Sequence, residues 1–239
     1  MTLLDFLKDL TYGEFAQLKI GELIAGEFES QPDPSKYEQL MSHVNLGLTE
    51  IYKRFFLSSK EIYIELHEEI SEYVIAYKYA QTSGSAEDPQ YIMDTAANPF
   101  RDDLLKIEEV YDEIGVKLPM NDTSEDLSIF TPTYRSIQVP YPNDGITYAV
   151  QYRADHPRLV WSIAIDPSTV EIEVPHSLHE ALLNYVASRG FTSLGGEAGT
   201  TEGLSYYSKF ENSCQKVHDL GLEVQAEPGT WRFDDNGWV

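Results

Sequence analysis

The spacing of apolar residues changes twice along this chain, and those changes limit the folds open to it. From Tyr37 to Phe55 apolar side chains fall at Tyr37, Leu40, Met41, Val44, Leu48, Ile51, Tyr52 and Phe55, which keeps one face of a helix dry. From Lys60 the period drops to two: Ile62, Ile64 and Leu66 alternate with Tyr63, Glu65 and His67, as in a half-buried strand. Helical spacing returns at Val174, through Leu178, Leu182, Leu183 and Val186, and continues through Tyr206, Tyr207, Phe210, Cys214 and Val217. Helical ends around a strand-rich middle predict a mainly α protein of the α+β type. In it the N- and C-terminal helices form a bundle that carries an insertion of β-hairpins. The expected boundaries are 1–59 for the first helices, 60–173 for the β-rich insertion, 174–222 for the last helices and 223–239 for an aromatic tail.

Local signals refine this outline. Thr2 and Asp5 have the spacing of a helix cap over about Thr2 to Leu10, and Gly13 ends that helix. "ESQPDPS" is a linker whose Asp33–Pro34 pair supplies a cap and first turn for the long helix. "KEIYIELHEEISEYVIAY" reads as one hairpin, and "LLKIEEVYDEIGVKLPMN" as a second that turns at Asp112 to Gly115. "RSIQVPYP" and "GITYAVQYRA" supply two strands around a "YPNDG" turn. "SLGGEAGTTEG" reads as a glycine-rich loop before the last helix. Asn45 and Gly47 interrupt the long helix at its centre. Glycine there costs about 1 kcal/mol relative to alanine, which leaves two readings: a neighbour packed too close for a side chain, or a glycine merely tolerated within one subunit.

Charge narrows the partners. The chain has 17 basic and 40 acidic residues, a net of −23, so a phosphate backbone would be repelled. Glu61 to Glu72 hold five Glu and no Lys or Arg, as on a solvated strand face. No apolar run approaches the roughly 20 residues a membrane span needs, and "MTLLDFLKDL" reads as a short soluble helix. The single cysteine, Cys214, permits no intrachain disulfide and no cysteine-rich zinc site.

Chemistry-bearing patterns are sparse. His176 and His179, with Glu180 beside them, share one side of a helix start, but the second Glu-x-x-His of a dinuclear bundle site is missing. They read as surface or capping histidines. Cys214 lies on an apolar helix face and reads as a small core residue. Nucleophile-elbow and phosphate-binding glycine signatures are absent. The expectation is a protein with no catalytic residue, no cofactor and no metal.

Five stretches occur in an order that resembles the head-to-tail adaptor, connector or head-completion proteins of tailed bacteriophages. They are "LTYGEFAQL" (Leu10 to Leu18), "HVNLGLTEIYKRFFL" (His43 to Leu57), "NPFRDDLLKIEEVYD", "NDTSEDLSIFTPTYRSIQVPYP" and "VPHSLHEALLNYVASRGF", followed by a final long helix. The resemblance covers roughly residues 1–222. It implies a helical bundle with a β-rich insertion, built into a homo-oligomeric, typically twelve-fold ring beneath the portal protein. Such a ring extends the DNA channel, lets the genome pass without specific binding, and offers a platform to tail or nozzle proteins. It implies a virion location at the head–tail junction after assembly in the host cytoplasm, and no reaction. Asn45 and Gly47 would then mark close helix packing, within or between subunits. "EVQAEPGTWRFDDNGWV" has no counterpart in the family; its Trp231, Phe233 and Trp238 are candidate partner contacts. Two other readings stand beside this one: an acidic, tyrosine-rich module for saccharide or a basic partner, and a metal-dependent enzyme built on His176 and His179.

Overall fold

A computed structural model of the protein describes residues 1–14, 34–160 and 165–222. The Asp33 cap, most of "EFAQLKIGELIAG" and the aromatic tail lie outside the described residues. The chain divides into two compact units, Met1–Phe56 with Pro157–Val239, and Leu57–His156.

Thr2 opens the first helix, α1 (Leu3–Tyr12). Its Oγ1 accepts the Asp5 N–H at 3.1 Å, and its hydroxyl donates to Asp5 Oδ2 at 2.6 Å, as the Thr-x-x-Asp spacing predicts. Gly13 ends the helix by donating its N–H to Asp9 O at 2.8 Å; a Cβ at Gly13 would collide with that same oxygen. Leu3 N donates to Val170 O and Ile172 N donates to Met1 O, each at 2.8 Å, which ties the start of the chain to an extended segment.

The remaining helices of this unit are α2 (Pro34–Arg54), α3 (His179–Ser193) and α4 (Gly196–Asp219). Each of α1, α2 and α4 packs on α3. That is why α3 is buried almost all round, at Ala181, Leu182, Asn184, Tyr185, Val186, Ala187, Ser188, Gly190 and Phe191. The α3–α4 connection turns at Gly195 and Gly196, whose φ of 72° and 74° favours glycine. The stretch expected to be a glycine loop is instead the first two turns of α4. Gly199 and Gly203 lie against the α3 backbone, and a Cβ at Gly203 would stand 3.0 Å from Ser188 O and run into the Thr192 hydroxyl. Close approach, rather than flexibility, accounts for both.

The Leu57–His156 unit contains β1 (Ser59–Glu65), β2 (Glu72–Val74), β3 (Ile92–Met93), β4 (Leu104–Tyr111), β5 (Ser136–Gln138) and β6 (Thr147–Ala154). Four strands form an antiparallel sheet in the order β3-β1-β6-β4, and β2 pairs with β5 in a second antiparallel sheet. Ile62, Ile64, Val110, Val150 and Tyr152 turn inward to a core shared with Tyr73, Ile75, Tyr91 and Ile137. Tyrosines also seal this core. Tyr91 Oη accepts Val74 N at 3.0 Å and donates to Val74 O at 2.9 Å, so a side chain covers the free edge of β2.

The expected architecture is therefore corrected. The chain is mixed α/β, with four α-helices and two antiparallel sheets among the described residues, and not a terminal helical bundle carrying β-hairpins. The hairpin expected over "KEIYIELHEEISEYVIAY" does not form, because no two named strands consecutive in the chain pair with each other. β1 and β2 enter different sheets, as do β5 and β6. The hairpin expected to turn at Asp112 to Gly115 does form, but its return arm is short: Tyr111 bridges Lys117 in antiparallel fashion, Asp112 N donates to Val116 O at 3.0 Å, and Leu118 N donates to Val110 O at 2.8 Å.

One half-buried group makes the fold sensitive to pH. Neither ring nitrogen of His43, on α2, has a hydrogen-bond partner among the described residues. Burial, reinforced by Arg189, pushes its imidazole below the ordinary value of 6.5. The unfolded chain binds this proton at higher pH than the folded chain does, so His43 removes stability as pH falls below about 6.5. The melting temperature should fall more between about pH 7 and about pH 5 in the native chain than in His43→Leu. Parallel profiles would contradict this assignment.

Candidate functional site

The residues singled out by sequence fall in different places. Gly47 is buried in the α2–α3 contact, where a Cβ would stand 2.8 Å from Leu182 Cδ1 and 2.9 Å from Tyr185 Cδ1. The close neighbour is thus in the same chain. Asn45 acts through its amide: Nδ2 donates to Leu159 O at 2.8 Å, and Oδ1 accepts Leu159 N at 2.9 Å. A side chain there replaces the backbone partner that an extended segment needs. Trp231, Phe233 and Trp238 lie outside the described residues.

His176 and His179 stand with ring centroids 6.1 Å apart, and the His179 ring lies 6.1 Å from Phe6. His179 Nε2 faces Asp9 Oδ2 at 3.6 Å. Burial lowers the His179 pKa, with Asp9 opposing it. Among the described residues no three His, Cys, Asp or Glu side chains converge in a way that could hold a metal ion. Replacing both histidines by alanine is expected to cost about 1–2 kcal/mol and to leave metal content unchanged. Elemental analysis finding one zinc or iron per chain, lost in the double variant, would overturn that expectation. Cys214 is buried on α4, and burial pushes its thiol up to about 11 despite the nearby Arg54. Burial of this kind disfavours the thiolate at neutral pH.

The surface with the most organised chemistry was not singled out from sequence. It is the face of the four-stranded sheet turned away from the core. β6 runs between β1 and β4, and the register aligns the three strands in rows. Tyr63 and Tyr111 both pair with Ala149, and Glu61 and Glu109 both pair with Gln151. Met93 extends the tyrosine row beyond Tyr63. Two Glu-x-Tyr units thus flank a Gln-x-Ala centre. Two strand spacings separate the tyrosine Cα atoms by about 10 Å, with Ala149 on the strand between them.

The polar groups of this face are unevenly matched. The Tyr111 hydroxyl donates to Glu109, which also pairs with Lys117. Both contacts hold the Glu109 carboxyl below its ordinary range, although burial pushes the other way. On the opposite side Glu61 holds the Tyr63 phenol, raising its pKa. Arg153 and Lys106, one row further on, are both taken by Glu108, at 2.8 and 2.6 Å. Among the described residues no cation pairs with Glu61 or Glu65. Tyr63 is 47% exposed and Met93 40% exposed. The repeated Glu-x-Tyr was visible in the sequence. Its meaning depends on both copies flanking β6, and no local signal reveals that.

No helix among the described residues is long and apolar enough to cross a membrane. No protein-family model matches the chain, and no curated protein matches it.

Proposed function

We propose that the chain is a structural protein of a tailed-bacteriophage virion, an adaptor subunit joining the portal to the tail. Copies of it close into a ring under the portal protein, extend the DNA channel and present a surface to tail or nozzle proteins. The observation that carries this reading is the ordered run of resembling stretches from "LTYGEFAQL" to "VPHSLHEALLNYVASRGF". The fold is no part of that support, since the bundle the resemblance implied is not the one adopted. The net charge of −23 supports it physically: an acidic channel wall repels the DNA backbone and lets the genome slide. Like-charged subunits also repel one another, so closure depends on a template that brings them together.

Trp231, Phe233 and Trp238 are assigned to contacts with a neighbouring subunit or the portal, where tryptophan is most enriched among binding hot spots. Sedimentation of the chain with purified portal rings tests the reading. The full chain should co-sediment, and a chain lacking residues 228–239 should melt at the same temperature yet bind more weakly. A chain that forms a tight dimer and never associates with portal would refute it.

A further inference from the structure

We propose that the tip of the Asp112–Gly115 hairpin is a docking knob, whose Ile114 and Val116 enter an apolar, basic-rimmed pocket of a partner protein. The assignment goes beyond the adaptor reading and does not depend on it. Three observations carry it. First, the tip displays apolar side chains where a turn ordinarily displays polar ones. Ile114 is 79% exposed and Val116 54% exposed, and neither belongs to the core of the Leu57–His156 unit. Isoleucine favours strands over turns, and a local choice that gains the fold nothing marks a functional position. Second, the tip is held in one shape. Asp112 O accepts Gly115 N at 3.1 Å, while Asp112 Oδ1 accepts Ile114 N at 3.1 Å and Val116 N at 2.8 Å. Gly115 takes a φ of 82°, the left-handed conformation that closes so short a loop. A loop ordered before contact loses little entropy on docking, so two side chains can serve as an anchor. Third, the apolar pair stands beside carboxylates. Asp112 and Glu113 precede it, and Lys117, which follows it, is paired with Glu109.

Charge decides the occupant. A second copy of this chain would bring the same excess to the contact, 40 acidic residues against 17 basic ones. In the Leu57–His156 unit, Lys60, Lys78, Lys106, Lys117, Arg135 and Arg153 are already paired with carboxylates of that unit. An anionic lipid surface suits the apolar pair but repels Asp112 and Glu113. A protein pocket that is apolar within and carries lysine or arginine at its mouth answers both parts of the tip.

The test uses the full chain with labelled isoleucine and valine methyl groups. Its probe is per-amino-β-cyclodextrin, an apolar cavity rimmed by ammonium groups. Neutral β-cyclodextrin and vesicles of phosphatidylcholine with phosphatidylserine are the other arms. The Ile114 and Val116 methyl resonances should shift as the cationic probe is added. Ile114→Ser should weaken binding, read at the Val116 methyls, about tenfold, the loss of one buried aliphatic side chain. Because Ile114 is largely exposed, this variant should melt with the native chain. Glu113→Gln, or added salt, should bring the cationic probe towards the affinity of the neutral one. Methyls that do not shift, or equal binding by Ile114→Ser, would overturn the proposal. So would equal affinity for the neutral cyclodextrin, or vesicle binding or self-association that Ile114→Ser abolishes. Because no portal is present, these outcomes leave the ring reading to its own test.

Discussion

Gly203→Leu is expected to destabilise the helical unit by about 3 kcal/mol or more. The position lies at a close approach of α4 to α3. A Cβ would be 3.0 Å from Ser188 O and 3.2 Å from Thr192 N, both backbone atoms, and would strike the Thr192 hydroxyl. That hydroxyl is itself committed, donating to Ser188 O at 2.7 Å. The Thr192 hydroxyl could rotate only by giving up that bond, and the two backbone atoms cannot move aside, so a leucine there forces the helices apart. The contrast with Gly47 is instructive. There the nearest atoms, Leu182 Cδ1 and Tyr185 Cδ1, belong to side chains and not to backbone, so side chains rather than a helix must shift. Gly47→Ala also gains about 1 kcal/mol of helix propensity, so its net cost should be much smaller. Urea unfolding followed by circular dichroism ranks the two. Equal midpoints for Gly203→Leu and the native chain would show that the α3–α4 contact is not tight.

Phe210→Ala should cost about 3–5 kcal/mol, a large share of the stability of an ordinary domain. Phe210 is wholly buried, with Tyr185 edge-on at 5.1 Å. The Arg54 guanidinium lies 4.7 Å above its ring and bonds both Glu211 oxygens, at 2.6 and 2.7 Å. Removing the ring leaves a cavity and takes away the support beneath a bidentate ion pair. The midpoint of urea unfolding should fall with little change in slope, because the surface exposed on unfolding is almost the same. Removing the partly exposed ion pair by Glu211→Gln should cost far less, since solvent screens it.

The helices that pack by one stripe were legible in the sequence. Leu40, Met41, Val44, Leu48, Ile51 and Tyr52 are buried as the spacing from Tyr37 predicts, and Thr2 caps α1 through Asp5. The alternation of Ile62 and Ile64 with Glu61 and Tyr63 likewise identifies β1 and its two faces. What the alternation does not contain is the partner. β1 pairs with β6, whose register places Ile64 against Tyr148, and the choice is made by a shared core rather than by the turn that follows β1. The hairpin expected from Lys60 onward failed for that reason, while the one at Asp112–Gly115 forms only a short return. The glycines of "SLGGEAGTTEG" misled in the opposite way. Their low helix propensity suggested a loop, while the backbone of α3 required their lack of a side chain. The sheet face was hidden for the same reason as the sheet: Glu61, Tyr63, Glu109 and Tyr111 are far apart in sequence and meet only through β6.

The central claim is assembly into a portal-bound ring, and electron microscopy of the chain mixed with purified portal rings addresses that claim most directly. The account predicts that class averages show a closed ring of this chain beneath the portal, coaxial with its channel, and that the chain alone forms no such ring. Portal rings left bare at saturating concentrations of a folded chain would contradict it.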